Sequence, residues 1–235
     1  MTMSLTRRSM MAATALTLAA RPSFAATKMK IGILGAGNIG GAVGQLLADA
    51  GYPIMLSARD VGPVKAVAAK IGHGALAGDE KQAAAWGEVI VIAVPWGALP
   101  QLGKDLAAEL KGKIVIDTCN PRDPRDGALA KEGLEKGTGV TDPKFLPGTR
   151  LVRGFNALSA GLLVPNRNHP GALIAVPLAS DDKAAMDVVA GIVRDTGFEP
   201  LEVGNLSKAK SFDQGTPDYK TTLTAADMKK LLKLD

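Results

Sequence analysis

Short, wholly apolar runs alternate along this chain with longer stretches in which apolar residues recur every three or four positions. Lys30-Ile31-Gly32-Ile33-Leu34 is nearly continuous, as a strand of a parallel sheet buried on both faces requires. From Asn38 to Ala50 the apolar positions Ile39, Val43, Leu46, Leu47 and Ala50 keep helical spacing, and Gly51 closes the segment. The same reading predicts a strand at 54–57, helices at 64–71 and 79–86, a central strand at 89–94, a helix at 99–110 and a strand at 113–117. Residues 121–139 are charged and rich in Pro and Gly, which predicts a surface connection with one short helix. Beyond them come strands at 151–155 and 172–176, a helix at 182–195, a strand at 198–203 and a last helix from Thr224 to Leu232.

Strands that alternate with helices imply right-handed crossovers and helices on both faces of the sheet. The expected fold is therefore α/β, a Rossmann-type doubly wound and mainly parallel sheet with a small C-terminal lobe. Its expected organisation is a leader at 1–25, a dinucleotide-binding domain at 26–150, and an α/β extension at 151–235 that completes an acceptor pocket.

Composition narrows the function. An apolar content of 46% across 235 residues is ample for a core, and the 4% aromatic content argues against base-stacking surfaces for nucleic acid. Of 28 basic residues, Arg7, Arg8 and Arg21 lie within the first 25 positions, which hold no acidic residue. The remaining 25 face 23 acidic groups, so the net charge of +5 does not indicate an anionic macromolecular partner.

Those 25 residues read as an export signal: Arg7-Arg8 followed by Ser9, an apolar stretch from Met10 to Ala20, and a small-residue cleavage site at Ser23-Phe24-Ala25. The twin arginine points to the pathway that exports folded proteins, hence to a bacterial periplasm, with a cytoplasmic protein as the alternative. The apolar stretch is shorter than the roughly 20 residues that span a bilayer, so no stable membrane span is expected after cleavage.

The turn Gly35-Ala36-Gly37-Asn38-Ile39-Gly40 stands between the first strand and the first helix, the context in which a glycine-rich turn cradles a dinucleotide pyrophosphate. An NAD-binding unit places an acidic residue about 20 positions on, at the end of the second strand. Here that strand ends in Ser57-Ala58-Arg59, a hydroxyl and a guanidinium suited to the 2′-phosphate of NADP, while Asp60 leaves dual NAD/NADP use open. His73 sits in a Gly-His-Gly turn and reads as structural; His169 lies in a loop. Cys119 follows a strand end without a partner base, Trp96 suits either a ring cover or the core, and neither a metal-ligand cluster nor a kinase-type phosphate loop is present.

Taken together, Ile31 to Gly40, the Ser57 and Arg59 corner, Ala93-Val94-Pro95-Trp96, Ile116-Asp117-Thr118-Cys119-Asn120-Pro121, Phe155-Asn156 and Thr196-Gly197-Phe198-Glu199-Pro200 resemble the deazaflavin-dependent NADP oxidoreductase (coenzyme F420) family. The resemblance implies that Gly35 to Gly40 hold the pyrophosphate and Ser57 and Arg59 the 2′-phosphate. It also implies that Val94, Pro95 and Trp96 with Thr118, Cys119 and Asn120 line the nicotinamide end, with no residue assigned to acid or base catalysis. The expected activity is hydride transfer between NADP and a small-molecule redox acceptor, either deazaflavin (coenzyme F420) or a flavin, in a protein that pairs as a homodimer. A dehydrogenase of a small carbonyl or imine and a non-catalytic NADP-binding sensor are the alternatives. The segment Pro165 to Pro170 departs from the family where it helps shape the acceptor pocket.

Overall fold

The computed structural model describes residues 28–234, and the predicted leader lies outside them. The chain runs β1 (Ile31–Leu34), α1 (Asn38–Asp49), β2 (Ile54–Ser57), α2 (Val61–Ile71), β3 (Leu76–Gly78), α3 (Glu80–Trp86) and β4 (Val89–Ile92). After a 3-10 turn at Trp96–Ala98 come α4 (Leu99–Asp105), α5 (Ala107–Leu110), β5 (Ile114–Asp117), α6 (Gly127–Lys136), α7 (Thr138–Phe145) and β6 (Arg150–Arg153). The remainder is α8 (Ala160–Asn166), β7 (Ala175–Ser180), α9 (Lys183–Asp195), β8 (Glu199–Gly204), a 3-10 segment at Leu206–Phe212, and α10 (Ala225–Leu232).

The described strands form one sheet in the order β3-β2-β1-β4-β5-β6-β7-β8. Strands β1 to β6 are parallel, β7 runs antiparallel to β6, and β8 is parallel to β7. This is the expected doubly wound Rossmann arrangement, and β6 to β8 continue the same sheet. The chain leaves β1 toward β2 and β3, then returns to place β4 on the other side of β1, so a crevice opens at the carboxyl ends of β1 and β4.

The apolar runs have a simple cause. Ile31 and Ile33, Val89 and Val91, and Ile114 and Ile116 face one core, under α1, α2, α8 and α9; Leu34, Ile90, Ile92 and Val115 face the other, under α3, α4 and α7. With both faces buried, neither set can be polar. Asp79 and Gln82 close a reciprocal capping box at the head of α3, and the Asp182 and Thr224 side chains cap α9 and α10.

Several expectations are corrected. The predicted helix at 99–110 is divided at Leu106 into α4 and α5. The strand expected at 172–176 lies at 175–180, with Pro177 outside the short pairing to β6, where its missing N–H costs nothing. Strand β3 was not anticipated because it is three residues long and pairs only with β2. Helix α8 was missed because seven residues containing Pro165 show too little periodicity.

The largest correction concerns 121–139. Two helices lie across this region and beyond it, and half of the second is buried: Thr138, Thr141 and Asp142 are inaccessible to solvent. Their polarity is matched inside, since Asp213 accepts from the Thr138 amide at 2.9 Å and from its hydroxyl at 2.6 Å. Gly133 lets α6 lie on the Trp96 indole, because a Cβ there would sit 2.8 Å from the ring.

Candidate active site

The glycine turn shows which of its positions serve the fold and which do not. Gly35 has φ +103°, where an L side chain is strained, and a Cβ on it would strike the Ala93 carbonyl. A Cβ on Gly40 would strike the Gly35 carbonyl. Gly37 is different: its φ is −75°, which any residue adopts, and no atom lies within 4 Å of the place a Cβ would take. Neither backbone conformation nor a protein neighbour requires glycine there, and the open space lies at the head of the 12-residue α1. That helix has no side-chain cap, so its first amides are available to a ligand along with the positive end of its dipole. The cradle fits the diphosphate of a dinucleotide.

Ala36 and Gly37 line a cavity of about 290 Å³ with Arg59, Glu80, Val94 and Pro95. Arg59 also borders the adjoining groove beside Pro63 and Val67. Its position at the carboxyl end of β2 is the one a 2′-phosphate contact needs. Ser57 is not placed for that contact: it is fully buried, and its hydroxyl donates to the Ile33 carbonyl at 2.9 Å. The hydroxyl expected to bind phosphate instead ties β2 to β1. Asp60 is occupied as the cap of α2, accepting from the Gly62 amide at 3.0 Å. Two acidic groups line this cavity, Glu80 and Asp105; burial pushes the Glu80 carboxyl above its usual range, an effect the nearby Arg59 charge reduces.

Ala93 and Val94, just past β4, are shared with a second cavity of about 320 Å³. Asn38 and Ile39 enter it from the head of α1, and Thr118, Cys119 and Asn120 from the end of β5. Of the residues expected at the nicotinamide end, Val94, Thr118, Cys119 and Asn120 line this cavity, whereas Pro95 lines only the first cavity and Trp96 lines neither. Trp96 does not cover a ring: it is fully buried, its indole N–H donates to Asp142 Oδ1 at 2.8 Å, and it meets Phe145 edge to face. It anchors the turn after β4 in the core. Cys119 lines the wall, but it is 3% exposed and its thiol is pushed far up by burial and by Asp117, which leaves little thiolate for nucleophilic chemistry.

The other wall was not anticipated. Asn156, Leu158 and Ser159 on the connection into α8, Ala160 and Gly161 at its head, and Tyr219 and Lys220 from the segment before α10 complete the cavity. Helix α8 rests on α1, which brings this connection beside Asn38. Residues 165–170, expected to shape the pocket, do not line it. Asn168 instead meets Gly197, its amide donating to the Gly197 carbonyl at 2.8 Å. His73 is paired with Asp49 at 3.0 Å.

Behind the β5 wall lies a buried ionic cluster. Arg153, fully buried on β6, donates to the carbonyls of Asp117 at 3.1 Å and Cys119 at 2.8 Å. It also lies 2.9 Å from the Asp117 carboxylate, 3.7 Å from Asp142 and 3.2 Å from Asp213. Burial opposes the guanidinium charge, but the neighbouring acidic groups, Asp117 and Asp213 foremost, outweigh it and keep Arg153 protonated. Burial and the neighbouring Asp117 push the Asp142 carboxyl far up, so Asp142 keeps a proton. Arg153 thus fixes the loop that carries Thr118 to Asn120. Its signal was present in the sequence, as a lone charge inside the apolar run Leu151 to Phe155.

Fold and site together define a Rossmann-type dinucleotide-binding domain of the oxidoreductase class. Residues 30–121 match the model of the family described as NADP oxidoreductase, coenzyme F420-dependent, and the chain is an NADP-dependent oxidoreductase on that match. Among solved structures it is similar to a hypothetical protein from Sinorhizobium meliloti, with 24% identity, TM-score 0.71, and coverage of 86% of this chain and 97% of that one. It is similar to a candidate F420-dependent NADP reductase from Arthrobacter, with 24% identity, TM-score 0.63, and coverage of 78% and 88%. An imine reductase from Myxococcus stipitatus, in complex with NADP+, shares 16% identity at TM-score 0.56 over 87% of this chain and 60% of that one. No curated protein sequence matches.

Proposed function

We propose that the protein passes hydride between NADP(H), held over Gly35 to Gly40, and a flavin-like or deazaflavin acceptor in the cavity beside Thr118 to Asn120. The observation that carries this reading is that two cavities meet at Ala93 and Val94, one over the glycine cradle and one beyond it. Bound there, NADPH would supply a hydride and be left as NADP+, while the acceptor gains that hydride and takes one proton from water. The chain's own task is then to hold two ring systems in apposition and keep water out, which needs no acid or base. Asn38 and Ile39 on one side and Thr118 and Cys119 on the other form rigid walls for that purpose. Arg59 selects the phosphorylated coenzyme.

A second reading gains support from one observation. Reduction of a small carbonyl or imine needs a proton donor near the nicotinamide, and Tyr219 lines the same cavity. Purified protein assayed for NADPH oxidation with riboflavin, FMN, deazaflavin and a panel of small aldehydes and cyclic imines separates the two. Turnover with flavins or deazaflavin supports the first reading, turnover confined to carbonyls or imines supports the second, and NADPH binding without turnover favours a sensor. As part of the same reading, the protein is exported through the twin-arginine signal at 1–25; fractionation of cells with Arg7-Arg8 intact or replaced by lysines tests it.

A further inference from the structure

Three carboxylates follow the ends of β2 and β3, and a fourth, Asp105, reaches the coenzyme cavity from α4. Three of the four are occupied. Asp60 caps α2 through the Gly62 amide at 3.0 Å. Asp79 caps α3, accepting from the Gln82 amide at 2.7 Å, while the Gln82 side chain accepts from the Asp79 amide at 3.0 Å. Asp105 accepts from the Gln101 side chain at 2.7 Å. Glu80 takes no hydrogen bond among the described residues, and it lines the cavity beside Arg59.

The sheet register sets these two side chains together. Ser57 pairs with Gly78 at the end of the parallel β2–β3 ladder, so Arg59 and Glu80 each stand two positions beyond a matched pair. The capping box fixes the first turn of α3, and with it the place from which the Glu80 side chain leaves the chain. The Arg59 charge acts on the Glu80 carboxyl, yet the two form no direct ion pair.

A cation and an anion that share a wall without neutralising each other answer to different ligands. A 2′-phosphate is drawn to the guanidinium and repelled by the carboxylate. A ribose with a free 2′-hydroxyl donates to the carboxylate and gains little from the guanidinium. In a unit that binds NAD, the acidic group stands at the end of the second strand. Here the nearest carboxylate to that position, Asp60, serves α2, and the end of the neighbouring strand supplies Glu80 instead.

Resting on the reading of this cleft as the coenzyme site, we propose that Glu80 is a second determinant of coenzyme choice. It accepts from the adenosine ribose of NADH and opposes the 2′-phosphate of NADPH, so the protein uses both coenzymes. Arg59 and Glu80 set the preference between them as opposing charges.

Dissociation constants for NADPH and NADH, read from coenzyme fluorescence, test it on the wild type, E80Q and E80K. The wild type should hold the two coenzymes within about 10-fold of each other. E80Q keeps the size of the side chain and removes its charge, so NADPH should bind about threefold more tightly and NADH about threefold more weakly. In E80K attraction replaces repulsion, and the ratio of the two affinities should widen about 100-fold. A wild type that binds NADH more than about 100-fold more weakly than NADPH overturns the assignment without any variant. So does a ratio that both variants leave within about twofold of the parent's, or an equal gain for both coenzymes; in either case the coenzyme site itself stands. Wild-type protein that binds neither coenzyme removes the assignment together with the dinucleotide reading.

Discussion

The coenzyme end of the cleft is built from the turn at 35–40 and the strand end at 57–60, joined across the β1–β2 pairing, and it presents mainly backbone. The acceptor end draws on residues 38–39, 118–125, 156–161 and 219–220, and it presents side chains that meet only because α8 and the segment before α10 fold over the sheet. The first can be formed wherever a buried strand turns into a helix. The second depends on the buried Arg153 cluster, which ties the loop after β5 to Asp213 in the C-terminal part. A backbone site tolerates much sequence change around it, whereas a side-chain site can be re-specified by few replacements.

The largest expected effect falls on the acceptor end. Arg153→Met leaves Asp117 and Asp213 without their cation beside the protonated Asp142, and urea unfolding should show a loss of about 3–5 kcal/mol. A variant as stable as the parent would mean that the cluster does not hold the two parts together. Next, Gly37→Val fills the open space at the head of α1 in a conformation valine accepts. NADPH affinity should drop about 100-fold, about 3 kcal/mol, with thermal stability nearly unchanged. If the coenzyme still binds normally, the cradle lies elsewhere.

Within the coenzyme end, Arg59→Ala should weaken NADPH about 10-fold and NADH by less than about twofold. Ser57→Ala should leave that selectivity unaltered, because its hydroxyl already serves Ile33. Equal losses of NADPH and NADH in the arginine variant would remove the phosphate contact. The smallest effect concerns pH. Because burial raises the Asp142 pKa above its ordinary 3.8, the folded state keeps a proton that the unfolded chain releases. That contribution is complete below about pH 4 and is lost as pH rises through the raised value. In Asp142→Asn, where the amide replaces the protonated carboxyl, the fall in Tm with rising pH should be shallower; an identical slope would place the retained proton elsewhere.

Much of the coenzyme half was legible because its determinants are local. The run Ile31 to Leu34, the three glycines and the helical spacing after them lie within 20 residues, and each has one physical meaning. Arg59 could be read for the same reason. Ser57 was misread because sequence does not tell a hydroxyl that faces a ligand from one that faces the neighbouring strand's carbonyl. Trp96 was ambiguous in the same way, and its burial follows from Asp142, 46 positions away, offering the indole a partner.

By itself, the order of apolar runs and helical stretches determined the doubly wound sheet, the glycine cradle at its switch point and the charge at the end of β2, because these depend on periodicity and on conformations only glycine adopts. The tertiary structure alone decided which polar residues turn inward and which reach the cleft. It buried Asp117, Asp142 and Arg153 as a mutually compensating set, and it carried Lys220 about 100 residues back to line the same cavity as Arg122. The reason is that the cost of burying a charge depends on partners distant in the chain, and no local pattern records where they meet.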